Sequence, residues 1–179
     1  IIPQLIQVES TSNLSTPIEY PKVCSCCGSK VEKIGAALTC MNPDCSDKVI
    51  QTLLHITGKD VLDMKNFGQA VITMLYQNGL RTLEDLFDMK FYAGLEDVDG
   101  FGEQSKQLLM NSIDQVKSGI ELYRVINALC IDLVGKITAK KLASVNGINN
   151  FINGNINYNI QLGDIVKNNL DAYFKANPT

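Results

Sequence analysis

The sequence has no tryptophan, a single histidine, and aromatics at only 7%. No apolar run reaches the ~18 residues of a membrane span, and no basic segment precedes an apolar stretch at the N-terminus, so neither a membrane helix nor a secretory signal is expected. An excess of positive charge is missing too. Lys and Arg number 16 against 19 Asp and Glu, for a formal net charge of −3. A global field that draws in polyanions is therefore excluded, and any nucleic-acid contact must come from local arrangement. The lone His55 is expected to pack or cap its helix, not to act as a base. Apolar residues at 45% of a 179-residue chain suffice for one packed domain of ordinary size plus a small one.

Cysteine is what the chain does have. Cys24-x-x-Cys27 and Cys40-x-x-x-x-Cys45 form two close pairs separated by twelve residues. Four thiolates at this spacing can be brought by two short loops to one tetrahedral ion, as in closed structural zinc sites. Gly28 follows the first pair, where the chain needs a residue free to take positive φ, and Asn42-Pro43-Asp44 supplies a turn within the second. Cys26 could compete for a ligand place, but Cys24 with Cys27 has the more usual spacing. Cys130, in an apolar run, is expected to be a buried small side chain. One structural zinc per chain is expected, in a reducing, intracellular setting, cytoplasmic or nucleoid-associated. With four thiolates and the ion, the net charge becomes about −5.

Residues 1–8 read as an edge strand with Pro3 near its start, and 9–20 as a polar linker. The finger fills 21–46. From Ser46 the period changes to that of a helix, with Val49, Ile50, Leu53, Leu54 and Ile56 on one face and Ser46 as N-cap. A repeat follows. Gly68, Gly102, Gly135 and Gly163 lie 34, 33 and 28 residues apart. Each is preceded by an apolar residue (Phe67, Phe101, Val134, Leu162) and followed seven positions on by Leu75, Leu109, Leu142 or Leu170. No segment between Ser46 and Asn177 alternates at period two, so residues 47–179 are expected to be almost wholly α-helical. The signature residues of ankyrin and tetratricopeptide solenoids, which share such a period, are absent.

In the best copy, Val98-Asp99-Gly100-Phe101-Gly102-Glu103-Gln104-Ser105-Lys106, glycines flank a buried Phe and a helix starts at once. Glycine there allows positive φ and leaves backbone N–H groups bare, and the helix start adds unpaired donors and partial positive charge. Together they make a phosphate site. Taken singly, such a turn is more simply a packing device; four copies favour the phosphate reading.

The stretch Asp97–Leu109 resembles a helix-hairpin-helix, a motif that grips DNA backbones. The order of parts resembles more. Ile1-Ile2-Pro3, the four-cysteine finger, Leu62-Asp63-Met64-Lys65-Asn66-Phe67-Gly68, Asp99-Gly100-Phe101-Gly102-Glu103-Gln104-Ser105 and Leu129-Cys130-Ile131-Asp132-Leu133-Val134-Gly135-Lys136 are similar to the C-terminal part of NAD-dependent DNA ligases. The resemblance covers nearly the whole chain. It departs at Asn66, where the first hairpin's first glycine would stand, and at Gln161 in the fourth hairpin. The Asn-rich stretch Asn149–Asn159 leading there is expected to be a loop.

The resemblance implies a mainly α chain with three parts: a terminal OB-fold strand and linker (1–20), a zinc finger (21–46) and a helix-hairpin-helix domain with four hairpin motifs (47–179). It implies a parent enzyme that seals nicks between 5′-phosphate and 3′-hydroxyl ends, using NAD and Mg bound outside this segment. The nucleotide-carrying lysine of that family lies in Lys-x-Asp-Gly, which this sequence does not contain, so no catalytic or NAD-binding residue is assigned. Gly100-Phe101-Gly102 lacks the third glycine of a dinucleotide fingerprint. The expected partners are nicked double-stranded DNA and the nucleotidyltransferase and OB-fold domains of the same chain, in a monomer. Expected DNA-contacting positions are Lys65, Phe67, Gly68, Gly100, Phe101, Gly102, Ser105, Lys106, Val134, Gly135, Lys136, Thr138, Lys140, Lys141, Leu162 and Gly163. Main-chain donors carry the contact at the turns and side chains add to it; the fourth hairpin is the weakest. The alternative readings are a free-standing zinc and hairpin protein of DNA repair without enzyme activity, or a helical protein-interaction scaffold.

Overall fold

The computed structural model describes residues 6–7, 19–95, 98 and 101–178. They fall into two compact units, 1–45 and 46–179. Of the strand expected over 1–8, only Ile6 and Gln7 are described, both exposed and outside any strand; the rest of that expectation lies outside the described residues.

The first unit is built on an antiparallel pair, β1 (Val31–Ile34) and β2 (Ala37–Cys40), in the register Val31 opposite Cys40 to Ile34 opposite Ala37. Gly35 opens the two-residue turn at φ 60, a positive value at the first turn position, which suits the right-handed twist of a tight hairpin. A bridge between Val23 and Lys30 extends the ladder back to the first cysteine pair.

The second unit contains eight helices among the described residues and no strand. Its helices are α1 (Ser46–Thr57), α2 (Gln69–Gln77), α3 (Met89–Ala93), α4 (Glu103–Lys117), α5 (Leu122–Ala128), α6 (Lys136–Val145), α7 (Ile148–Ile152) and α8 (Asp164–Ala176), with a 3-10 turn at Asp85–Phe87. They run as four successive pairs. The second helix of each pair starts directly after an apolar residue and a glycine, and α1 packs on α2 and α5 on α6.

The periodic leucines explain this arrangement. Leu75, Leu109, Leu142 and Leu170, each seven residues after its glycine, are all buried and sit at equivalent depth in α2, α4, α6 and α8. Two turns of helix carry a residue back to the starting face, so the same turn and the same helix face recur in each pair. The cores differ. Phe67, Leu75, Tyr92, Phe101 and Leu109 belong to one apolar cluster; Val134, Leu142, Phe151 and Leu170 belong to another. The Tyr92 hydroxyl, fully buried, donates to the Leu86 carbonyl at 3.0 Å, satisfying the one polar atom that this ring brings inside.

Three expectations need correction. The Asn-rich stretch is not wholly a loop, since Ile148–Ile152 forms α7. Burial of Phe151, edge-on to Phe174 at 5.2 Å, stabilises one helical turn there despite the surrounding asparagines. Asn146, itself buried, then donates to the Asn157 carbonyl and accepts from the Asn157 amide at 2.7 Å, anchoring the remaining loop. Cys130 is exposed, because it takes φ 51 in the turn after α5 and points out of the core. His55 is exposed in the last turn of α1, so of the two roles expected for it packing is excluded, while its position is the one a residue at a helix end takes.

Candidate metal centre and candidate nucleic-acid interface

The four sulfurs of Cys24, Cys27, Cys40 and Cys45 lie within 4.8 Å of one another. The Cys24–Cys45 and Cys27–Cys40 separations are 3.9 and 3.5 Å. A tetrahedron with metal–sulfur bonds of about 2.3 Å has sulfur–sulfur edges of about 3.8 Å, so the Cys24–Cys45 and Cys27–Cys40 edges match a zinc ion, and sulfurs as far as 4.8 Å apart would draw in to hold it. The backbone explains why. Gly28 at φ 70 lets its amide donate to the Cys24 carbonyl at 2.9 Å, and the Cys24 amide donates to the Ser29 carbonyl at 2.7 Å, folding the first pair into a knuckle. On the other side the Asn42 side chain accepts from the Asp44 amide at 3.0 Å, turning the chain so that Cys45 comes back under Cys40. Hydrogen bonds from Ser29, side chain first and backbone second, lower the Cys27 thiol to about 6. The Asn42 amide favours the Cys40 thiolate, but desolvation and the adjoining Cys27 and Cys24 sulfurs outweigh it and raise that thiol. Cys26 is exposed and not in the group.

The repeated glycines all do the same thing. Gly68, Gly102, Gly135 and Gly163 are the N-caps of α2, α4, α6 and α8, and none of these helix starts receives a side-chain cap. Their φ values run from −66 to −84, so positive φ is not why glycine stands there. A Cβ at any of the four would meet nothing within 4 Å. What glycine achieves is a bare approach to the unpaired amides of the first helical turn. The first helical bonds are those of Ile72 to Gly68, Lys106 to Gly102 and Ala139 to Gly135, which leaves the preceding amides of each turn without a helical acceptor.

Positive φ belongs instead to the residue two before the cap. Asn66 takes φ 67 and Leu133 φ 63, with Asp63 (φ 52) and Cys130 (φ 51) three residues further back. The first and third turns thus share one backbone course, which Asn66 sustains where a glycine was expected. Gln161 in the fourth turn does not take positive φ, so that turn is built differently. Gly100 lies outside the described residues. The Phe67, Phe101 and Val134 side chains are buried and Leu162 is half-buried; they anchor the turns, and only their main chain faces out. The Phe101 and Val134 amides are already used, donating to the Val98 and Ile131 carbonyls at 2.9 Å.

Tertiary contacts gather the turns. Ser112 on α4 donates to the Lys65 carbonyl at 2.8 Å, linking the second pair to the first turn. The Arg124 guanidinium on α5 donates to the Lys59 and Val61 carbonyls at 3.0 and 2.7 Å, and Asn169 on α8 donates to the Asp132 carbonyl at 3.0 Å. Among the lysines, Lys65 pairs with Asp63 at 2.7 Å and Lys136 with Asp60 at 2.6 Å. The Asp60 hydrogen bond raises the Lys136 ammonium above its ordinary range, and Lys136 lowers the Asp60 carboxyl. Lys140 lies over the Tyr123 ring at 4.9 Å, which Arg124 also approaches at 5.5 Å. Lys140 and Lys141 are exposed on α6; Ser105, Lys106 and Thr138 are half-exposed in the first turns of α4 and α6. The acids Asp60 and Asp63 escaped the sequence reading, although Asp63 stands two residues before Lys65. The pairing of Asp60 with a lysine 76 positions away leaves no mark in the sequence.

A four-sulfur finger followed by helix pairs whose second helices start on bare, uncapped glycines defines a recognisable class: a small four-cysteine module followed by a helical domain of repeated turns. No protein-family model matches the chain. Relatives do. A DNA ligase from Sulfurihydrogenibium azorense is 36% identical over 171 residues, covering 92% of this chain and 24% of that protein. A DNA ligase from Sulfurihydrogenibium sp. (strain YO3AOP1) is 38% identical over 149 residues (80% and 21%), and one from Campylobacter jejuni subsp. doylei is 34% identical over 146 residues (80% and 22%). The chain is homologous to a segment of the DNA ligases, consistent with their C-terminal part. It spans about a fifth to a quarter of the length of these relatives. No helix among the described residues is long and apolar enough to cross a membrane.

Proposed function

We propose that this chain is the duplex-holding segment of an NAD-dependent DNA ligase, gripping DNA around a nick without reading its sequence. The observation that carries the reading is the set of uncapped, glycine-started helices with open space at each glycine. Amides so exposed, at the positive end of a helix, suit phosphate oxygens. Repeated three or four times in one domain, they suit a polymer of phosphates. Lys65, Ser105, Lys106, Lys136, Thr138, Lys140 and Lys141 would add side-chain contacts, and the acids Glu103 and Asp164 in the first turns of α4 and α8 weaken those two starts relative to α2 and α6. Such contacts fix register and carry little base information.

The zinc finger, 21–46 by sequence, would be structural, holding the helix-hairpin-helix domain in relation to the OB-fold and nucleotidyltransferase parts of the parent enzyme. Adenylyl transfer from NAD, with Mg, would belong to those parts, since the Lys-x-Asp-Gly sequence is missing here.

A titration of the chain with a nicked duplex at several salt concentrations tests the clamp. Affinity should fall steeply with salt, and Lys106→Ala with Lys136→Ala should weaken binding and flatten that dependence. An unchanged curve in the double variant would favour a protein-interaction scaffold. Nick sealing by the parent protein that required no NAD would remove the cofactor assignment.

A further inference from the structure

The third and fourth turns differ from the first two in a way that amides and lysines do not explain. Two positions after its glycine, α6 presents Ile137 and α8 presents Ile165, and these side chains are 74% and 66% exposed. The same positions in α2 and α4 are Ala70 and Gln104. Beside Ile137, four residues back, stands Leu133, 58% exposed and held at φ 63. A bulky residue in the left-handed region is strained, and glycine or asparagine would relieve it. A leucine this exposed adds little to the core, and backbone outliers of this kind point to use.

These apolar chains accompany a defined group of donors. The amides of Gly135, Lys136, Ile137 and Thr138 precede the first helical bond of α6; in the sequence Leu133 comes two residues before this group and Ile137 lies within it. Lys140 adds positive charge on the same helix, whereas Lys136 is paired with Asp60 at 2.6 Å. An isolated phosphate seated on those amides would need no apolar surroundings. A phosphate within a nucleic-acid strand carries a sugar on each side, and the sugar's carbon face is the nearest apolar surface available.

On the reading of this domain as a DNA clamp, we infer that Leu133, Ile137 and Ile165 form an apolar rim that packs on deoxyribose in the groove wall on either side of the phosphates held by the third and fourth turns. The second pair of turns thereby grips the sugar–phosphate backbone by two kinds of force. One is electrostatic and fades as salt rises; the other is burial of carbon surface and does not. The first pair presents no isoleucine at this position; its exposed apolar side chain is Leu108, further along α4, at 50%.

The test uses the 179-residue chain, a nicked DNA duplex, and melting temperature as a control on folding. In Leu133→Gly/Ile137→Ser/Ile165→Ser, affinity should fall roughly tenfold or more at every salt concentration, while the slope of log affinity against log salt stays that of the wild type. Melting temperature should hold or rise, since Leu133→Gly removes strain. Leu133→Asn, which also tolerates the left-handed region, should reproduce part of the loss. Wild-type affinity in both variants would overturn the inference and leave the clamp intact, as would a loss that vanishes at high salt. Failure of the wild-type chain itself to bind duplex would remove the clamp and the rim together.

Discussion

Replacing Gly135 by alanine separates a glycine kept for a ligand from one kept for the fold. The residue sits at φ −84 and ψ −177, ordinary extended backbone for any L-amino acid, and an added Cβ meets nothing within 4 Å. Two small effects on stability oppose one another. The unfolded chain loses freedom, which stabilises by about 0.4–1 kcal/mol, while alanine is a poorer N-cap than glycine by up to about 1 kcal/mol. The net change should stay within about 1 kcal/mol of zero. The methyl group, however, projects into the space through which a phosphate must approach the α6 amides. Losing one or two hydrogen bonds to a charged oxygen costs about 1.5–3 kcal/mol each, or roughly tenfold to well over a hundredfold in affinity. Circular dichroism melting paired with fluorescence anisotropy on a nicked duplex reads both quantities. Gly79→Ala serves as the opposite control: at φ 109 alanine is strained, so melting temperature should fall by the equivalent of about 1–2 kcal/mol with affinity preserved. If Gly135→Ala binds DNA like the wild type at an unchanged melting temperature, the bare helix start is architectural and the phosphate argument is wrong.

Metal analysis of freshly purified protein should find about one zinc per chain, and chelation should melt the β1–β2 finger while most helical signal remains, because zinc contributes about 10–16 kcal/mol to finger peptides; less than half an equivalent would count against a structural zinc. Asp60→Asn releases Lys136 from its ion pair, so nicked-duplex affinity at low salt should rise about two- to fivefold; an equal or lower affinity would mean that Lys136 does not face DNA. Ser112→Ala strips the Lys65 carbonyl of its donor and should destabilise the domain by about 1–3 kcal/mol, read by urea unfolding, and a change under 0.5 kcal/mol would show that water replaces the hydroxyl.

Much of the local structure was legible because it rests on short-range rules. The spacing of Cys24, Cys27, Cys40 and Cys45 anticipated four converging sulfurs, since a knuckle and an Asx turn need only a few residues each. The leucines seven after each glycine anticipated the buried faces of α2, α4, α6 and α8, since helical periodicity is a local property. The role of the glycines was harder to read. Their repetition signalled a shared purpose, but positive φ lies two residues earlier, at Asn66, which stands in the place of a hairpin's first glycine, and at Leu133, where the side chain hid it. Cys130 looked like core for the same reason: its apolar neighbours describe a run, while the turn that rotates it outward depends on φ 51.

By itself, then, the order of residues determined most of the elements, the four cysteines that converge and the kinship with DNA ligases, because each depends on patterns carried along the chain. Only the tertiary structure decided that Arg124 ties α5 to the Lys59 and Val61 carbonyls, that Asp60 neutralises Lys136, and that Ile137 and Ile165 stay outside while Leu142 and Leu170 go in. Those outcomes follow from which helix faces are covered when the pairs assemble, and chain separation carries no record of that.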